Sequence, residues 1–492
     1  MSFIMIGIMR WRIESDYLGK VKVPEGSYWG VQTQRAAENF PISGLHARPE
    51  FIVATAIVKR AAAEANMKAG LLKPEKARAI MKAADEIING KLHDQFVVDI
   101  FQAGAGTSHN MNANEVIANR AIEILGGKKG DYSIVHPNDD VNMGQSTNDV
   151  IPTAIRIVSL MLSRTLLENM NALAEELHTK ALEFDDIIKS GRTHLMDAAP
   201  IRLGQEFEAW ARMLRRDSDR LRACLPRIRE LNIGATAVGT GLNADPDYVQ
   251  GVVSGIGRLI DEKVRPAEHL PEATQSLTDF SEVSACQRSF ALDLIKIAND
   301  LRLMNSGPMT GLAEIVLPAV QPGSSIMPGK VNPSIPEMVD MVGFQVVGND
   351  LAISMATQAG QLELNVMMPL VAYSLVENFK ILSSAAKVLA EKCIKGISAN
   401  RERMEKMLHK SPGVALALNP YIGYQKAAEV VKRALAEEKT IKEVVLEMGL
   451  LAPETVEKIF DPHSLTQMGI AGKNQSRLPK RNLKTPAKQV SR

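Results

Sequence analysis

The sequence predicts a mainly α protein, with a central bundle of long helices flanked by smaller N- and C-terminal domains. Three observations lead there. Only 4% of the residues are aromatic, and the long segments are rich in Ala, Leu, Ile, Met, Glu and Lys, which favours helix over strand. Several segments hold an apolar helical pattern far beyond the length of an ordinary surface helix. Small polar loops punctuated by glycine recur just ahead of these segments. At 492 residues, 45% apolar and 23% charged, the chain has ample material for a large interior and about three domains.

Residues 1–10 form an apolar extension. It is too short, and runs too directly into Arg10, Arg12 and Glu14, for a signal peptide or a membrane span. From Trp11 to about Gly44, glycine and proline break any long period, so short strands or turns are expected. Phe51–Leu72 and Pro74–Asn89 read as helices, the second with proline in its first turn and Gly90 behind it. A polar loop, Phe101–Asn112, feeds a helix over Asn114–Leu125. A second, His136–Asp149, precedes Pro152 and a helix to about Phe184. Its first half carries Ile155, Ile157, Val158, Leu160, Met161 and Leu162 on nearly every face, so other helices must surround it. Its roughly 33 residues would span about 50 Å at 1.5 Å each.

A third polar loop, Ser190–Asp197, precedes a helix from Pro200 to about Leu231, and Asn232–Asn243 is a glycine-rich turn. Thr274–Asn305, Glu337 to about Met355 and Pro369–Lys395 complete five long helices, an extended bundle. Past Asn400 the helices shorten, at Glu402–His409, Tyr424–Ala436, Ile441–Met448 and Pro453–Phe460. The domains implied are 11–147, 148–400 and 401–473.

Net charge is +2, from 58 basic and 56 acidic side chains, so no global field draws the chain to nucleic acid or a membrane. Arg477, Lys480, Arg481, Lys484, Lys488 and Arg492 make residues 474–492 a basic tail, expected to be disordered. Cys224, Cys286 and Cys393 are far apart in sequence and form no C-x-x-C pair. They read as small buried hydrophobes in a reducing, cytoplasmic setting.

The chemistry lies in the polar loops, of which Gly323–Pro333 is the fourth. Together they offer Thr107, Ser108, His109, Ser146, Thr147, Asn148, Thr193, His194, Ser324, Ser325, Lys330 and Asn332. Many neutral donors, one lysine and no paired carboxylates suit a small carboxylate and charge developing on it. Helix N-termini behind the first two loops add to that preference. Taken singly, plainer readings stand: the Gly323 loop as a connector, His109 and His194 as satisfied structural histidines, Ser324 as a turn serine. A nucleotide cofactor is poorly supported, since Gly104 and Gly106 lack strand context and Walker spacing. Neither a zinc spacing nor a G-x-S-x-G elbow is present, so no metal and no cofactor are expected.

These loops resemble those of the aspartase/fumarase superfamily, lyases that form and break C–N or C–O bonds beside a carboxylate to give fumarate. The resemblance covers nearly everything from Trp11 to Lys473, and Gly323–Asn332 matches the superfamily's signature loop. Within it the chain is most similar to the aspartate ammonia-lyases, in Gly104–Ser108 with Asn110–Asn112, in Gln145–Asp149 and in Gly360–Met367. One departure is Met368, where many of that branch carry Glu.

The resemblance implies reversible deamination of L-aspartate to fumarate and ammonia. It makes Ser324 the base that removes the Cβ proton. Thr107, Ser146, Thr147 and Ser325 would hold the β-carboxylate, and Thr193, Lys330 and Asn332 the α-carboxylate, with Asn148 and His194 near the amino group. It also implies a homotetramer whose active sites are shared between subunits around a helical core. Two alternatives stay open: a class II fumarate hydratase, which converts L-malate to fumarate and water, and a relative without catalysis.

Overall fold

The computed structural model describes residues 10–473; residues 1–9 and 474–492, and with them the expectations for the N-terminal extension and the basic tail, lie outside it. Helix dominates, as the composition predicts. The five long helices are Thr147–Glu183, Leu203–Ile228, Thr278–Met304, Ser334–Gln358 and Met368–Lys392. Among the described residues, strands occur only as two-stranded pairs. By internal contacts the chain divides into two interleaved units. One comprises the described residues up to Ala174, Arg212–Asp300 and Gly323–Lys392. The other comprises Glu175–Ala211, Leu301–Pro322 and the chain from Cys393.

The first unit opens with antiparallel strands Trp11–Asp16 and Gly19–Pro24, followed by a helix, Val31–Asn39, that the broken pattern there did not suggest. Helices Pro49–Lys68, Pro74–Ile88 and Thr107–Ile124 then share one core, with Ile52, Ala56, Ile80, Ala84, Ile117 and Ala121 buried. Pro49 and Pro74 stand in first turns, where a missing N–H leaves no bond unmade. A further helix, Pro246–Ile260, is absent from the sequence expectations and packs on Pro49–Lys68. A Cβ at Gly251 or Gly255 would lie 3.1 or 3.3 Å from the Ala65 or Ala61 side chain. These glycines are there because two helix backbones approach closely.

Within this unit the long helices are tied by polar contacts as well as by apolar packing. Arg156, 2% exposed, donates to Arg227 O at 2.8 Å and pairs with Asp279 at 2.9 Å. Ser284 and Arg288 both donate to Asp350, and Asn169 reaches Ser383. The Cys224 and Cys286 thiols lie side by side, both reduced, close to an exposed ion pair between Arg227 and Glu282. Thr147–Glu183 is long and apolar enough to cross a membrane, but 72% of its most apolar window is buried in protein.

In the second unit, residues 188–202 are a β-hairpin, Ile188–Thr193 paired with Met196–Arg202, where the sequence suggested a loop and a helix from Pro200. The helix starts at Leu203 instead. The turn residues His194 and Leu195 both have positive φ, 56° and 62°. A two-residue turn of that geometry favours Asn-Gly, so neither residue gave a signal. The short C-terminal helices bury Leu418, Val430, Ile441, Val444, Val456 and Ile459. One of them, Ile441–Glu447, opens with a capping box between Thr440 and Glu443.

Glu314, 0% exposed, anchors the first hairpin strand by accepting from Arg192 at 2.7 Å and pairing with Lys189 at 2.8 Å. Glu314→Leu strands the Arg192 guanidinium and leaves buried Lys189 with Glu206 alone, at 3.1 Å, and is expected to cost about 3 kcal/mol. The measurement is the urea midpoint at constant slope; an unshifted midpoint would show that this cluster does not hold the hairpin.

Candidate active site

The Gly323–Pro333 loop is closed at its base. Gly323 N donates to Lys330 O at 2.8 Å, and Asn332 Nδ2 donates to Gly323 O at 2.7 Å. A Cβ at position 323 would meet Asn332 N at 2.6 Å, so the closure requires glycine. Inside the loop, Ser324 Oγ accepts from the backbone N–H of Ile326 at 3.2 Å and of Met327 at 2.9 Å. The base is tied, while Ser325 to Val331, Lys330 included, are exposed. In the single chain the Ser324 hydroxyl is therefore half-open to water, not enclosed in a dry loop.

Ser146, Thr147 and Asn148 sit at the start of the long helix Thr147–Glu183. Ser146 Oγ accepts from Asn148 N at 3.2 Å, and Ser146 N donates to Asp149 Oδ1 at 2.9 Å. Asp149 Oδ2 accepts from Gly234 N and Thr236 N, each at 3.0 Å. Burial pushes the Asp149 carboxyl up to about 7, against the pull of those N–H groups and of Lys59. Asn148 Nδ2 donates to Ala237 O at 2.7 Å, which leaves its Oδ1 to accept from a ligand.

Behind this turn lies Lys59, which is fully buried. Its ammonium donates to Asn142 Oδ1 at 2.8 Å and Gln145 Oε1 at 2.9 Å. Burial lowers it to about 7, with Asp149 pulling the other way. The sequence reading missed Lys59, although a signal was present: it shares helical spacing with buried Ile52, Ala56 and Ala63.

The helix expected from Asn114 begins at Thr107, after Ala105 and Gly106 take positive φ. Burial of Ser108, His109, Asn110 and Asn112 overrides the poor helix propensity of these residues. Thr107 itself is exposed at the helix N-terminus. Ala105 N donates to Val366 O at 2.7 Å, so two of the three stretches that carry the resemblance touch. Met368, the departure, is fully buried.

Thr193 and His194 are exposed at the hairpin tip of the second unit. In the first unit no hydrogen bond among the described residues joins the Ser324 loop, the Ser146–Asn148 turn and Thr107 to one another. Nor do three or more His, Cys, Asp or Glu gather as a metal site among the described residues.

His109 is a structural histidine. It stacks on Phe51 at 4.8 Å, and its Nε2 lies 3.0 Å from Thr55 Oγ1. The single Thr55 proton goes to Phe51 O, so the imidazole donates. Burial, with a smaller push from Lys59, lowers its pKa from 6.5 to about 4. As pH falls, the unfolded chain takes up the proton first. The stability this group contributes is full above pH 6.5 and declines toward pH 4, by on the order of 2–3 kcal/mol. His109→Asn should flatten that limb of the stability–pH curve; an unchanged slope would contradict a buried neutral imidazole.

Residues 19–348 match a family model described as Lyase, and residues 415–467 match one for the fumarase C C-terminus. An aspartate ammonia-lyase of a Bacillus species is 51% identical over 462 residues, covering 94% of this chain and 99% of its own. A class II fumarate hydratase of Mycobacterium tuberculosis is 48% identical over 443 residues, covering 90% and 92%. A crystal structure described as fumarate lyase:delta crystallin from Brucella melitensis bound to cobalt superposes with a TM-score of 0.89 at 48% identity, covering 92% of this chain and 99% of that one. Signature loop, helical architecture and near-full-length similarity agree, and the chain belongs to the aspartase/fumarase superfamily of lyases.

Proposed function

We propose that the chain is an aspartate ammonia-lyase, converting L-aspartate reversibly to fumarate and ammonia. The observation that carries the mechanism is the pair of backbone N–H groups on Ser324 Oγ. They favour a negative oxygen there, which a serine needs to act as a base. Ser324 takes the Cβ proton, and the electron pair passes into the neighbouring carboxylate to form a doubly charged aci-carboxylate. Collapse of that intermediate forms the C=C bond and expels the amino group as ammonia.

Thr107, Ser146, Thr147 and Ser325 hold the β-carboxylate, where donors that tighten as charge develops accelerate the step. Thr193, Lys330 and Asn332 hold the α-carboxylate. Asn148 and His194 face the amino group; the Asn148 Oδ1 left over by its bond to Ala237 O suits an ammonium.

The active unit is a homotetramer with sites shared between subunits, working in the cytoplasm. Its support is an apolar stripe on Ser334–Gln358, where Met341, Phe344, Leu351 and Met355 each keep more than half their surface exposed on one helix face. The second reading, fumarate hydratase, is supported by the Mycobacterium relative.

Fumarate absorbance decides between them. Formation from L-aspartate and not from L-malate is the expected result; the reverse identifies a hydratase, and neither a silent relative. Ser324→Ala should abolish nearly all turnover while leaving substrate binding largely intact, and wild-type turnover in that variant removes Ser324 from the mechanism. Lys330→Ala should weaken binding as well, and an unchanged apparent affinity contradicts its contact. A monomer by light scattering would exclude the shared-site tetramer.

A further inference from the structure

The buried ammonium of Lys59 sets the direction of a hydrogen-bond chain that ends on a proposed substrate ligand. Lys59 Nζ donates to the side-chain oxygens of Asn142 and Gln145, which are thereby fixed as acceptors. The other ends of these amides comply. Asn142 Nδ2 donates to Gln145 O at 3.1 Å, and Gln145 Nε2 donates to Val141 O and Met143 O, each at 3.1 Å. Asn142 Oδ1 also stands 3.2 Å from the amide groups of Asn110 and Asn114, which must therefore present N–H to it. The same Asn110 Nδ2 lies 3.3 Å from Thr147 Oγ1. The Thr147 oxygen thus receives, and its own proton is left to point away from the protein interior. A carboxylate only accepts, so this is the polarity a β-carboxylate ligand needs.

We propose that Lys59 is a positioning residue for the lyase reaction: through Asn142 and Asn110 it fixes the donor direction of the Thr147 hydroxyl, and so the affinity for the substrate's second carboxylate. The inference rests on reading Thr147 as a ligand of that carboxylate. It also explains why a cation occupies a position on the apolar stripe of Pro49–Lys68, where an alanine or leucine would pack at no desolvation cost.

The test is a double-mutant cycle on the full chain, using L-aspartate kinetics and, as a binding probe, inhibition by the unreactive dicarboxylate succinate. Thr147→Val should raise KM and the succinate inhibition constant by roughly tenfold. Lys59→Met, which keeps the shape and removes the donors, should do the same, with kcat at saturation changed much less. In the double variant the Lys59 substitution should add less than about twofold. Unchanged binding in Thr147→Val overturns the assignment of Thr147 itself. Normal binding in Lys59→Met, or a Lys59 effect of full size in the Thr147→Val background, overturns the relay and leaves Lys59 a packing residue. If Lys59→Met does not fold, Asn110→Leu cuts the chain at its next link. It should be non-additive with Thr147→Val in the same way, and full additivity there overturns the proposal.

Discussion

A helix segment that is apolar on nearly every face has no stable place in water, and the first half of Thr147–Glu183 is such a segment. Val150, Ile151, Ala154, Ile155, Ile157, Val158 and Leu160 are all at most 1% exposed. Burying each of the larger side chains stabilises by about 1.5–3 kcal/mol, so the surrounding helices must be long enough to enclose it. The first residue of this helix is Thr147, flanked by Ser146 and Asn148. The demand for burial along the helix body therefore also fixes where three polar side chains stand at its end. Site and core are two ends of one element.

Polarity inside the first unit is arranged with equal economy. Lys59, Asp149 and His109 are buried with their charged forms disfavoured, and the first two are bonded to groups that hold the turn carrying Thr147. Burying such groups costs free energy unless every partner is in place. Although Asn110 Oδ1 and Asn114 Oδ1 are buried without a partner, a network of this kind narrows the arrangements available to a loop, because a flipped amide or a shifted carboxylate leaves a buried donor unmade. Asp149 illustrates this, with three backbone N–H groups from two separate segments on one carboxylate. The hydroxyls above it are positioned by groups that need never touch substrate.

Much of this was legible in the sequence, for identifiable reasons. The long helices carry sustained periods, and prolines such as Pro74 and Pro453 mark the first turns of shorter ones within a residue or two. The Gly323 loop stood out because glycine and proline concentrate there, and its resemblance to a known signature drew the other loops into one chemical reading. What escaped notice depends on tertiary context. Thr107–Asn112 looks like a loop until its burial is known. Pro246–Ile260 hides behind glycines that serve packing, and the hairpin at 188–202 turns on His194–Leu195, a pair without turn chemistry. Lys59 reads as a solvated helix charge unless its place among Ile52, Ala56 and Ala63 is weighed.

The two groups of proposed ligands in the first unit are mounted very differently, and that difference has a mechanical meaning. Thr147 is bolted to the most deeply packed rod of the chain and braced from behind by amides and a buried cation. Ser324 rides on a span of exposed residues held at its foot by two hydrogen bonds, with little beyond them to resist displacement. In a vice, one jaw is cast with the bed and the other slides. In the proposed site the fixed side supplies Thr147, and the lightly tethered side supplies the proton acceptor together with Ser325, Lys330 and Asn332. On that proposal, admission and release of small molecules need no rearrangement of the core, because only the lightly tethered side has to give way.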